Sequence, residues 1–139
     1  MKIEIQGVSF SNKGSELMLV AVLQQLGSRL PGVEWVVEPS VGPFLERSRY
    51  GLLQKMNCSA YGSTGYLIDR LMHAGYRRRF GLVTEPEIQA VLDIHGYAFG
   101  DVWGANMLEN MAAKVIRWKR QGKKIIFLPQ ALGPFSTPL

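Results

Sequence analysis

Residues 2–8, Lys-Ile-Glu-Ile-Gln-Gly-Val, alternate polar and apolar side chains, the period of a strand with one buried face, and Gly7 stands near its end. A polar turn over residues 9–15 follows. Residues 16–30 are rich in Leu, Met, Val, Ala and Gln and close at Pro31-Gly32, which predicts a helix. Residues 33–38 form a second strand pattern ended by Pro39, so the chain opens as a βαβ unit with a right-handed crossover. From Pro39 to Thr64 the pattern blurs, and residues 44–56 read as a helix carrying Leu45, Leu52, Leu53 and Met56. Residues 65–76 read as a further helix, with Tyr66, Leu67, Leu71 and either Met72 or Gly75 on its apolar side, running into Arg77-Arg78-Arg79. Residues 90–94, Ala-Val-Leu-Asp-Ile, are a short apolar run bounded by His95-Gly96, the pattern of a strand covered on both faces. Residues 106–121 give the clearest helix, with Leu108, Met111, Ala112, Val115 and Trp118 on one side and Gly122 as its stop. Arg117, Lys119, Arg120, Lys123 and Lys124 crowd that end, where cations complement the helix dipole. Residues 124–128 then form a last strand.

Strands alternating with helices, with apolar strands in the middle of the chain, predict an α/β fold: an open parallel, Rossmann-like sheet with helices on both faces. A length of 139 residues accommodates one such domain with a hydrophobic core. Hydrophobic residues make up 47% and charged residues 19%, against a usual charged share of about 25%, which excludes a disordered or coiled-coil chain. No apolar run approaches the ~20 residues of a membrane span. The flanks of Leu17 to Leu23 do not fit a secretory signal, so a cytoplasmic location is expected. The lone Cys58 excludes an internal disulfide and reads as a small apolar filler, and with two histidines the material for a metal site is thin. Asn57-Cys58-Ser59 matches a glycosylation sequon, which the absence of a secretory signal discounts.

In open α/β sheets ligands collect outside the carboxyl ends of the strands. Three glycine-bearing loops fall there: residues 9–16, 95–104 and 129–135. In the first, Gly14 permits close approach to a ligand, while Asn12 and Ser15 either bond that ligand or cap the following helix. The loop fits neither the G-x-G-x-x-G nor the P-loop fingerprint. In the second, Asp101 is either a helix-capping carboxylate or an acceptor, or base, for a substrate hydroxyl. His95, just past a buried strand, reads as a structural histidine ahead of a catalyst. A net charge of +5 permits an anionic partner. Arg70, Arg77, Arg78 and Arg79 form the compact basic cluster, read as a solvated face or as a surface for phosphate or a membrane. No nucleic-acid motif accompanies them.

Taken in order, Ser11-Asn12-Lys13-Gly14-Ser15-Glu16-Leu17-Met18, Leu92-Asp93-Ile94-His95-Gly96-Tyr97-Ala98-Phe99-Gly100-Asp101 and Leu128-Pro129-Gln130-Ala131-Leu132-Gly133-Pro134-Phe135 resemble the polysaccharide pyruvyl transferase family. Many members carry Asn-x-Gly-Asp in the first motif, where this chain has Ser15. The resemblance implies the N-terminal Rossmann-like domain of a two-domain enzyme similar to the GT-B glycosyltransferases, inactive without its C-terminal partner domain. It implies transfer of pyruvate from phosphoenolpyruvate to a glycan or lipid-linked saccharide as a ketal, with no cofactor and no metal. Asp101 is then the catalytic residue, and Asn12, Gly14, Ser15, Gly96, Tyr97, Gly100, Gln130 and Gly133 line the substrate. Peripheral contact with the inner face of the membrane would run through the arginine cluster. The alternatives are a GT-B-type domain using a nucleotide-sugar and a non-catalytic module that binds acidic polymer or membrane.

Overall fold

The first strand, β1 (Lys2–Gln6), is covered on both sides, and this fixes what lies around it. Ile3 and Ile5 face the helix α1 (Lys13–Gly27), which turns Leu19, Val22, Leu23 and Leu26 onto them, the i, i+3, i+4, i+7 spacing of a core-facing helix. On the opposite face a second cluster gathers Val91, Phe99, Met111 and Trp118 beneath α4 (Ala105–Arg120). Burial of each such aliphatic or aromatic side chain contributes roughly 1.5–3 kcal/mol. Helices therefore cover both faces. The structure, a computed structural model, describes residues 1–56 and 72–136.

The remaining elements are β2 (Glu34–Val37), α2 (Phe44–Arg49), β3 (Leu53–Lys55), α3 (Ala74–Arg79), β4 (Leu82–Val83), β5 (Ala90–Asp93) and β6 (Lys124–Phe127). Among the described residues six strands, all parallel, lie in the order β4-β3-β2-β1-β5-β6. The chain steps outward from β1 to β4 and returns to the other side of β1 with β5, so the topological switch lies between β1 and β5. This is the Rossmann-like α/β sheet that the alternation of elements predicts.

Three expectations are corrected. The helix expected over residues 44–56 ends at Arg49; Gly51 takes a left-handed φ of +65°, and Leu53–Lys55 pairs in parallel with β2 as a strand. Helix α1 begins at Lys13, earlier than the composition suggests, because Asn12 caps it, and it ends at Gly27, where Ser28 is the C-cap and its N–H bonds to the Leu26 carbonyl. Of the helix expected over residues 65–76, residues 65–71 lie outside the described residues, as do Cys58, the sequon and Arg70; Ala74–Arg79 is helical. Ala112, expected on the buried side of α4, is exposed. Among the described residues β6 is an edge strand, with Ile126 and Phe127 about half exposed, and an apolar groove of about 550 Å³ runs between β6 and α4.

Candidate functional site

At the switch point, the register Gln6↔Asp93↔Phe127 sets the carboxyl ends of β1, β5 and β6 side by side. The ladder continues one step further, since Ile94 N–H donates to the Gln6 carbonyl and Leu128 N–H to the Asp93 carbonyl, both at 3.0 Å. All three glycine-bearing loops leave the sheet along this one edge.

The first loop turns at Gly7, whose φ is +85° and whose hypothetical Cβ would stand 2.6 Å from the backbone nitrogen of His95. Only glycine lets the two strand ends approach this closely. Asn12 Oδ1 then accepts from Gly14 N–H at 2.9 Å and Ser15 N–H at 3.4 Å as the N-cap of α1. Ser15 Oγ donates to the Gly7 carbonyl at 2.7 Å and accepts from Ser9 N–H at 2.8 Å, tying the helix to the loop. Glu16 accepts from Lys13 Nζ and from Tyr50 Oη, each at 2.6 Å. The bond from Lys13, then that from Tyr50, hold the Glu16 carboxyl below its ordinary range. The same bonds with Glu16 raise Lys13 and Tyr50. Beside this loop a cleft of about 340 Å³ is lined by Ser9, Phe10, Ser11, Ser40, Val41 and Glu46, among others.

The second and third loops zip together. Ala131 N–H donates to the Gly96 carbonyl and Gly133 N–H to the Phe99 carbonyl, both at 2.8 Å, and Asp101 N–H donates to the Pro134 carbonyl at 3.0 Å. A Cβ on Gly100 would fall 2.5 Å from the Gly133 carbonyl oxygen, so glycine is required by the approach of the two backbones. Asp101 opens a short 3-10 turn, Asp101–Trp103, and its Oδ2 accepts from both the backbone N–H and the Oγ of Ser136. Tyr97 is exposed.

Between these loops lies an arrangement that composition and motif reading passed over. Asp93 is buried, and its carboxylate collects three groups: His95 N–H at 3.1 Å and Gln130 Nε2 at 2.6 Å on Oδ1, and His95 Nδ1 at 2.8 Å on Oδ2. The His95 ring tilts against Phe99, with centroids 5.9 Å apart. Gln130 Oε1 is buried with no bonding partner among the described residues. The available signal was the Asp-x-His spacing, because residues two apart at a strand end project to the same side.

The structure thus brings Gly96, Gly100, Asp101, Gln130 and Gly133 into one loop pair beside His95, with Asn12, Gly14 and Ser15 on the β1 side of the same edge. Arg77 and Arg78 of the basic cluster do not join them. Arg77 pairs with Glu87, and Arg77 and Arg78 line a separate cavity of about 420 Å³ with Lys2, Glu34 and Leu82, which stand at or near the amino ends of the strands. Among the described residues no three His, Cys, Asp or Glu side chains gather as a metal-binding group, and no helix is long and apolar enough to cross a membrane. Comparison with protein-family models, curated proteins and solved structures returns no match for this chain.

Proposed function

We propose that the chain supplies the N-terminal half of the active site of a polysaccharide pyruvyl transferase-like enzyme, which moves pyruvate from phosphoenolpyruvate onto a pair of glycan hydroxyls as a ketal. The observation that carries this reading is the gathering of the three resembling motifs at one switch-point edge, with Gln130 of the third bonded to Asp93 of the second. Separate motifs are expected to meet in space if they serve one reaction, and the switch point is where such sheets bind ligands. Cationic groups for the donor's phosphate and carboxylate belong, in this reading, to a second Rossmann-like domain facing the cleft. The hydroxyl-bearing acceptor lies on the side of Ser9, Ser11 and the strand-end loops. The protein then works in the cytoplasm, at the inner membrane face when its acceptor is lipid-linked.

The reaction balances as follows. The methylene of phosphoenolpyruvate gains a proton and becomes a methyl group, two acceptor oxygens bond to the adjacent carbon, and the C–O bond to phosphate breaks. The two hydroxyl protons account for the one gained by the methyl group and the one carried away on inorganic phosphate.

The test is phosphate release from phosphoenolpyruvate by the product of the complete open reading frame, with oligosaccharide acceptors and detection of the ketal methyl group by NMR. The expected result is acceptor-dependent release, with the 139-residue chain alone silent. A product that forms glycosidic bonds from a nucleotide-sugar, and no ketal, overturns the reading in favour of a glycosyltransferase.

A further inference from the structure

We infer that His95 is the proton carrier of this site, held by Asp93 and Gln130 as the tautomer with its proton on Nδ1, so that Nε2 is free to take the proton of an attacking acceptor hydroxyl. The inference rests on the transferase reading for the identity of that hydroxyl; the orientation of the ring rests on geometry alone.

Asp93 is a carboxylate approached by three groups, and a carboxylate only accepts. The bond of 2.8 Å between Oδ2 and His95 Nδ1 therefore requires the imidazole proton on Nδ1 when the ring is neutral. Gln130 Nε2 and His95 N–H both bond Oδ1, which fixes the plane of the carboxylate and leaves Oδ2 to the ring. A buried carboxylate that orients an imidazole in this way selects the reactive tautomer and stabilises the cation formed on proton uptake. Nε2 has no partner among the described residues and is not one of their buried unbonded atoms, which are Glu4 Oε2, Arg77 Nε, Trp118 Nε1 and Gln130 Oε1. It therefore reaches solvent, and about a fifth of the side chain (21%) is exposed. The ring stands between the carboxyl ends of β1 and β5, where Gly7 has no side chain to cover it.

In the reaction, Nε2 takes the proton from the first acceptor hydroxyl as its oxygen bonds to the central carbon of the donor. It passes that proton to the phosphate oxygen as the carbon–oxygen bond to phosphate breaks. The methylene's new proton is drawn from solvent and is replaced by that of the second hydroxyl.

His73 is a built-in control, since its Nδ1 accepts from Gly75 N–H at 3.1 Å and must carry its proton on Nε2. Long-range 1H–15N spectra of the histidine-labelled chain near neutral pH are expected to show the two histidines as opposite tautomers. Asp93→Asn is expected to reverse His95 only: its amide oxygen keeps the two donors at the Oδ1 position, so its NH2 faces Nδ1 and drives the ring proton to Nε2. Should that variant fail to fold, the wild-type spectrum and His95→Gln decide. In the transfer assay His95→Gln is expected to lower kcat by about 10²–10⁴-fold with KM little changed. Wild-type His95 protonated on Nε2, or an unchanged kcat in His95→Gln, overturns the inference while the transferase reading stands. An enzyme that forms no ketal at all overturns that reading and the catalytic role with it, whereas the tautomer measurement still reports on the Asp93–His95 pair.

Discussion

Glu87 shows how much one side chain can commit the fold to a pH range. Its carboxylate accepts from Thr84 N–H at 2.9 Å and Thr84 Oγ1 at 2.8 Å, and it pairs with Arg77. Burial alone would raise its pKa, but the bonds from Thr84 and Arg77 outweigh burial and bring it from 4.5 down to about 2. Between those values the unfolded chain binds a proton that the folded chain refuses. The contribution is therefore complete above about pH 5 and is lost as the pH falls toward 2. A side chain 35% exposed is partly screened by water, which trims the effect. Glu87→Gln should melt at a lower temperature than wild type at pH 7 and converge with it near pH 2. Melting curves recorded across that range test this, and a constant offset between the two proteins would show that Glu87 does not titrate as its bonds require.

At the scale of elements, helix α1 is where capping and ligand contact competed as readings of the same residues. Asn12 and Ser15 are both engaged in holding the helix start and the preceding loop, so each removal should cost stability before any question of activity arises. Asn12→Ala should cost about 1 kcal/mol as a lost cap. Ser15→Ala should cost about 1–2 kcal/mol, because it strips a partner from both the Gly7 carbonyl and Ser9 N–H. Thermal melts should show both losses, with Asn12→Asp close to wild type; unchanged melting in the two alanine variants would return these residues to ligand binding alone. The long helices and the strands β1, β2 and β5 were legible because their apolar side chains report burial directly, whereas β6 was legible as a run of β-favouring residues although Ile126 and Phe127 stay half exposed. Strand β3 was not, since the one buried position of Leu53–Lys55 is the lysine, and hydropathy cannot distinguish a lysine paired in the interior from one in solvent. Strand β4 is two residues long and has no period to read. The loops of the site were legible through their glycines. The Asp93–His95 pair was hidden because Asp93 sits in an apolar run, where its acceptor role depends on Gln130, 37 residues away in the chain.

Across the whole molecule, one face of the sheet is held by charge as well as by apolar contact. Glu4 is fully buried on β1, accepting from Lys55 Nζ of β3 at 2.7 Å and from Gln6 Nε2 at 2.5 Å. Lys55 also lies 3.3 Å from Glu85, which pairs with Lys123 at 2.9 Å just past α4, and 3.9 Å from Glu38, which pairs with Lys114 of α4 at 3.3 Å. Burial would raise Glu38 and Glu85, yet these cations keep both below the ordinary carboxylate range. The basic end of α4 thus does more than complement a helix dipole: Lys123 and Arg117 reach Glu85 and join the helix to the chain ahead of β5. Such a network is most costly when half removed, because a buried charge left without its partner forfeits both hydration and attraction. Lys55→Met should therefore destabilise by roughly 3–5 kcal/mol in urea unfolding, with Glu4 stranded in the interior. Glu4→Gln combined with Lys55→Met removes both charges and should be less damaging than Lys55→Met alone, a coupling visible only if the pair acts as a unit. Losses that simply add would show that Glu4 and Lys55 are independent, and that β1 and β3 are joined through β2 and its apolar neighbours without help from the ion pair.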